Sequence, residues 1–254
     1  MLLQRRLMEN ITHNITNADT TGYKKNHLVS RSFDDVLIER HREYQGDPNY
    51  LGSTRFLSYG SSPVGPLNFG TRVDQLYTDY NQGIMEETGL TTDLAMAGEG
   101  FFVVSTPEGD RYTRSGAFYL TPQGYLVDSE GHFVQGTEGP IHVGDDVFEV
   151  RVGGEVIVNG EQVNQLRIVN FTNLEALRKQ GDNLYFIQGD AGLQEGLPQT
   201  ATVRQGFLEG SNIEIAREMV DMITVYRAYE SNQRMLTMID ETVGKAVNDI
   251  GRLR

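Results

Sequence analysis

Apolar and polar positions alternate most regularly in residues 211–250, SNIEIAREMVDMITVYRAYESNQRMLTMIDETVGKAVNDI. Apolar side chains recur at Ile215, Met219, Met222, Tyr226, Tyr229, Leu236, Val243, Val247 and Ile250, and Gln233 and Asp240 fill the two gaps in the row. The steps alternate four and three throughout, which is a heptad seam. No proline interrupts the stretch, and its only interior glycine is Gly244. At about 1.5 Å per residue the pattern predicts a helical rod of roughly 55–60 Å. Ser211 or Asn212 is placed to cap it, since a short side-chain oxygen accepts from the free N–H groups of a first turn.

The opposite end of the chain repeats the period. Met1, Gln4, Met8, Ile11, Ile15 and Ala18 step by three and four, and Leu2, Leu3 and Leu7 widen the apolar face. Arg5, Arg6, Glu9, Asn10, Asn14 and Asn17 make the polar side. Helix propensity falls through ITHNITNADTTG, where Asn, Thr and Asp compete for backbone bonds, and Gly22 is a natural stop. So short a helix is marginal alone in water. The only other long apolar helical seam lies at the far terminus, so the two ends are expected to pair.

Between them the pattern changes twice. SFDDVLIER suggests a short helix. The following stretch to residue 70 is rich in Gly, Pro, Ser and Tyr, and is too long for an ordinary connection. Its aromatics, Tyr44, Tyr50, Phe56, Tyr59 and Phe69, argue against plain disorder, which is poor in such residues. From about 76 onward short apolar runs alternate with turns: GFFVVS, RYTRSGAFYL, YLVD, HFVQ, EVIVNGEQV, QLRIVNF, LYFI and TVRQGFL. Asn159-Gly160 between two apolar runs is a strong hairpin signal. NLEALRK suggests one short helix capped by Asn173. The expected fold class is therefore α+β: long N- and C-terminal helices forming a tube-forming coiled-coil domain, an inserted antiparallel all-β domain, and an extended linker. The expected boundaries are an N-terminal helix at 1–24, a linker at 25–75, a β-rich domain at 76–208 and a C-terminal helix at 209–254.

Composition narrows the functions available. The chain of 254 residues carries 22 Lys and Arg against 35 Asp and Glu, a net charge of −13. Such a surface repels nucleic acid and anionic membranes, and no apolar run approaches the ~20 residues of a membrane span. Cysteine is absent, which removes disulfides and thiolate sites. The start MLLQRRLMEN lacks the long apolar core and small-residue cleavage site of a secretory signal. None of the pairs among His13, His27, His41, His132 and His142 has the helical i, i+4 spacing of a zinc site, and HExxH does not occur. GEGFF lacks the rest of a phosphate loop, and GSSPVG does not make a GxSxG elbow. Glu86 and Glu87 fit a solvated turn. Asp145 and Asp146 lack calcium-loop spacing and read as acidic surface. No cofactor or metal is expected, and no enzyme.

Three stretches resemble one family. HNITNADTTGYKKN at 13–26 resembles the Asn-rich helix end and T-x-G-[FY]-K turn of the flagellar rod and hook proteins. DLAMAGEGFFVVSTPEGDRYTRSGAFYLTPQGYLVDSEGHFVQG at 93–136 is similar to that family's D-[LV]-A-[IM]-x-G-x-G-F-F segment and the Y-T-R-x-G-x-F run that follows. RQGFLEGSNIEIAREMVDMITVYRAYESNQRML at 204–236 is similar to its Q-G-x-[LV]-E-x-S-N-[IV] entry and M-[IV]-x-x-x-R-A-Y-E helix. The resemblance is nearest to the distal rod type, which is expected to carry an extra segment near 40–70; the proximal rod type is the alternative. Members of the family are expected to begin some residues earlier, with a segment ending in S-G-M-L to which Met1-Leu2-Leu3 aligns.

The resemblance implies a structural subunit of the bacterial flagellar basal-body rod, exported by the flagellar type III apparatus. It implies a helical homo-oligomer that transmits torque, with other rod proteins, the hook protein, and the P-ring and L-ring proteins as neighbours. The candidate assembly interface is Met8, Asn10, Ile11, Asn14, Ile15 and Asn17 on the first helix, and Ile215, Met219, Met222, Tyr226, Tyr229, Leu236, Val243 and Val247 on the second. The three asparagines share one helical strip and are expected to hydrogen-bond across subunits. A scaffold or adaptor that forms no long polymer is the competing reading.

Overall fold

A computed structural model describes residues 1–32, 36–40, 62–67, 70–144, 147–181, 183–189, 192–195 and 201–251. Its two α-helices stand at the ends of the described chain: α1, Leu2–Thr16, and α2, Ile215–Gly251. The expected pair of long helices making a coiled-coil domain is corrected here. α1 has 15 residues against 37 in α2, about 22 Å against about 55 Å, and the rest of the described chain is mainly strand. The cause is local. The Asn17 amide donates to the His13 carbonyl at 2.8 Å, and Thr20 Oγ1 donates to Asn17 Oδ1. The first bond satisfies a carbonyl of the last turn, the second holds the Asn17 side chain that makes it, and the helix ends there.

Within the expected 25–75 linker, the described residues include two strand pairs. Asn26–Ser32 pairs antiparallel with Thr71–Thr78, and Val36–Arg40 pairs antiparallel with Ser62–Leu67. Val36–Arg40 is thus a strand where SFDDVLIER suggested a helix. Its Val-Leu-Ile run suits a paired strand, and pairing outweighs weak local propensity. The aromatics Tyr44, Tyr50, Phe56, Tyr59 and Phe69, and the acidic pair Asp145 and Asp146, lie outside the described residues.

The β region centres on the strand Phe101–Thr106. It joins a ten-stranded antiparallel sheet that includes Gly109–Thr113, Phe133–Gly136, Ile168–Phe171, Leu177–Gly181 and Leu184–Ile187. The continuous apolar run FFVV is explained by burial on both faces. Phe102 and Val104 join Leu94, Met96, Phe118, Leu126, Val134 and Ile141 on one side. Phe101 and Val103 join Tyr112, Val169, Phe171, Leu177 and Tyr185 on the other. A three-stranded sheet, Phe148–Val150, Glu155–Val158 and Glu161–Gln165, closes the first core. Its hairpin turns at Asn159 and Gly160, both with positive φ (54° and 88°), as the sequence predicted. NLEALRK forms only a single 3-10 turn, Leu174–Ala176, before entering a strand; Asn173 caps it by accepting from the Glu175 N–H.

Entry to and exit from this region run side by side. Met85–Glu87 pairs with Phe207–Glu209, and Leu94–Ala97 pairs with Thr202–Gln205, both antiparallel. The β region is therefore inserted through a two-stranded neck. That neck delivers Glu209 to the foot of α2, beside the turn that leaves α1.

Candidate functional site

α1 and α2 pack antiparallel where the neck ends. Asn14 of α1 is fully buried, and its Nδ2 donates to Glu218 Oε2 of α2 at 3.2 Å. The same amide donates to the Asn26 carbonyl at 3.0 Å and accepts from the Asn26 N–H at 3.1 Å. Asn10 also donates to the Asn26 carbonyl, at 2.8 Å. Two of the three candidate asparagines therefore meet at Asn26 within the chain, and Asn17 turns back on its own helix. Asn10 and Asn14, expected to hydrogen-bond across subunits, make these bonds within the chain.

The turn between α1 and Asn26 holds two consecutive lysines that face opposite neighbours, as successive residues of extended chain do. Lys24, 1% exposed, points to the neck. Its ammonium lies 2.6 Å from Glu209 Oε1 and donates to the Asn81 carbonyl at 2.8 Å. Glu209 also accepts from Arg114 Nε at 2.8 Å and from the Gly83 N–H at 3.0 Å. Arg114 donates further to the carbonyls of Gly98 and Gly100. Every charge in this buried set has a partner, as burial demands. Burial lowers the Lys24 ammonium from its ordinary range, and the Glu209 carboxylate opposes that shift. Lys25 points the other way and pairs with Glu218. Asn212 bridges the two sides. It accepts from the Lys25 N–H at 2.8 Å and donates to the carbonyls of Asp79 and Asn81, so it does not cap α2.

The β region grips the same turn. Asn183 donates to the Thr21 carbonyl at 2.7 Å, and Thr21 and Ser115 hydroxyls lie 3.0 Å apart. The Lys179 ammonium donates to the Lys24 carbonyl and sits 3.9 Å from the Tyr23 ring centroid. Burial pushes Lys179 down to about 8. Burial, with Glu218 behind it, raises the Tyr23 phenol. Gly22 has φ +67°, donates to the Glu209 carbonyl at 2.7 Å and lies against the Arg114–Ser115 backbone.

Away from this junction α2 is covered on one side only, over the length of α1. On α1, Ile11 is buried and Met8 and Ile15 are half-buried. On α2 the half-buried positions include Met222, Val225, Tyr229 and Asn232, which continue the step of four and three from Glu218 toward α1. Met222 and Tyr229 therefore face α1. Ile215, Met219, Tyr226, Leu236, Val243 and Val247 are exposed, and so are Val220, Ile223, Met235, Met238 and Ile239. Every side chain described from Gln233 to Asn248 is exposed. This apolar surface runs along a helix far longer than its partner.

The sequence reading missed Lys24, Lys25, Arg114, Glu209 and Glu218, and gave Asn212 only the role of a cap. All lie inside the three stretches that carried the family resemblance, but none stands in an apolar row, and the pairs are distant in sequence. Among the described residues no group of His, Asp or Glu could hold a metal ion, and no helix is long and apolar enough to cross a membrane.

A folded β body on a charged junction, extended by a helix whose apolar side chains have no cover, is an assembling structural protein in form. Two family profiles match the chain: the C-terminal part of the flagellar basal body rod FlgEFG proteins over residues 204–249, and the D1 domain of the flagellar hook proteins FlgE/F/G over residues 95–159. Flagellar basal-body rod protein FlgG of Bacillus subtilis (strain 168) is 31% identical over 251 residues, covering 94% of this chain and 91% of that protein. FlgG of Agrobacterium fabrum is 32% identical over 248 residues, with the same coverage. Flagellar basal-body rod protein FlgF of Caulobacter vibrioides is 34% identical over 253 residues, covering 98% and 94%. The chain belongs to the flagellar basal-body rod protein family and is a structural subunit of the rod.

Proposed function

We propose that the chain polymerises with its own copies and with other rod components into a helical assembly that carries torque from motor to hook. The uncovered apolar surface of α2 carries this reading. Each apolar side chain buried there contributes roughly 1.5–3 kcal/mol, and α1 is too short to supply the cover. Neighbouring copies supply it, through Ile215, Met219, Tyr226, Leu236, Val243 and Val247. The β region then stands away from the contact, toward the P-ring and L-ring proteins that surround the rod. Export runs through the flagellar type III apparatus, and the hook protein adjoins the far end. The FlgG relatives favour the distal rod type.

The FlgF relative supports a second reading, a proximal rod or adaptor subunit that adds only a short tier. Both readings need the α2 surface. The deciding experiment is a double variant, Leu236→Asp with Val243→Asp, examined by electron microscopy over a concentration series and by motility. Loss of rods and of swimming with an unchanged melting temperature supports the proposal. Rods that still form, or a destabilised monomer, sink it. Wild-type particles that stop at a short fixed length favour the second reading.

A further inference from the structure

We infer that the Lys24–Lys25 pair is a two-sided clasp that sets the angle at which the β region is presented from α2. One lysine ties the turn to the neck through Glu209, and the other ties it to α2 through Glu218. The two carboxylates belong to consecutive elements, Phe207–Glu209 and α2, with no other covalent path between them than residues 210–214. That short connection is tied to the neck side by the Gly210 N–H, which donates to the Ile84 carbonyl, and by Asn212, which donates to the carbonyls of Asp79 and Asn81. The clasp holds the angle from the far side.

Stability does not explain these charges. A buried ion pair repays its desolvation only with good geometry, and an apolar set of similar volume is often as stable. Directional bonds differ from apolar contact in specifying one arrangement. Here the turn that carries the two lysines is itself fixed, so their directions are set. It is held by Asn212 through Lys25 N–H, by Asn183 through the Thr21 carbonyl, and by the glycine-only approach at Gly22. Lys24 and Lys25 are thus positioning residues for the assembly. They sit away from the exposed α2 surface, and they fix where the β region lies relative to it.

The absence of cysteine allows a direct test in the full-length chain. Spin labels at Glu161→Cys in the β region and Arg227→Cys in α2 report the distance distribution between the two parts in dilute solution. Two variants each open one side of the clasp: Lys24→Met with Glu209→Gln, and Lys25→Met with Glu218→Leu. Each is expected to broaden the distribution roughly twofold, as a released hinge does, while the β circular-dichroism signal persists and the melting temperature falls, since Glu209→Gln removes the charge facing Arg114 and Glu218→Leu removes an acceptor of Asn14. A width equal to the parent in either folded variant overturns the inference. Loss of the β signal in both variants also overturns it, since the clasp is then a folding element. If only one variant unfolds, the width of the other decides.

Discussion

Asn14 and Glu218 lie 204 positions apart and meet inside the protein, the amide nitrogen 3.2 Å from the carboxylate oxygen. That bond joins the first helix to the last. Neither partner has water to fall back on, so the contact is expensive to break from one side.

Asn14→Leu is expected to lower stability by about 1–3 kcal/mol, because it leaves the Asn26 N–H and one Glu218 oxygen buried without that partner. Asn10→Ala is expected to cost less than about 1 kcal/mol, since the Asn26 carbonyl keeps its bond from Asn14. Urea unfolding of both variants checks the order; equal losses contradict it.

Gly22 is held at φ +67° with the Ser115 nitrogen 2.4 Å from where a Cβ would sit. Gly22→Ala therefore adds a backbone clash to left-handed strain and is expected to cost more than about 2 kcal/mol. Gly131 has φ +86° but open space around it, so Gly131→Ala carries only the strain, about 1–2 kcal/mol. Thermal melts of the two variants separate the contributions.

Lys179 gives a pH signature. Its folded value is lowered to about 8 from 10.5 by burial. Between those values the unfolded chain binds more protons than the folded one, so this group makes stability rise with pH across that window. Below about pH 8 both states are protonated and the slope vanishes. Lys179→Met is expected to flatten the rise between pH 8 and 10 relative to the parent. Parallel curves for the two proteins refute the assignment.

Two positions on α2 separate folding from assembly. Met222→Asp puts a charge on the side facing α1, and is expected to speed amide exchange throughout α1 while the β region stays protected. Leu236→Asp lies on the exposed side and is expected to leave α1 exchange unchanged while blocking rod formation. Identical exchange in both variants contradicts the division of the helix into two faces.

What the sequence disclosed follows from the range of the interactions. The step of four and three along α2, the doubly apolar FFVV strand and the Asn159-Gly160 turn are local patterns, and they were readable. The end of α1 was harder, because two side-chain bonds at Asn17 decide it and apolar positions continue past them. Val36–Arg40 was misread because its pairing partner, Ser62–Leu67, lies beyond a long intervening stretch. The junction was legible only as motif. Lys24 and Glu209 are 185 positions apart, and nothing in either neighbourhood names the other. The seam residues Met222 and Tyr229 were placed in the candidate assembly interface; within the chain they are half-buried on the side facing α1. A periodicity gives the faces of a helix, and only the length and direction of its partner tell which face is left open.

The insertion of the β region between α1 and α2 has a consequence for an incomplete chain. α1 docks on the strand that begins at Asn26 and on α2, so a product truncated before Ser211 keeps the first contact and lacks the second. Such a product lacks Asn212 and Glu218, leaves Lys25 without its carboxylate and Asn14 with Asn26 alone, and has no α2 surface. The contacts that seat the first helix on the last are therefore made only once α2 is present.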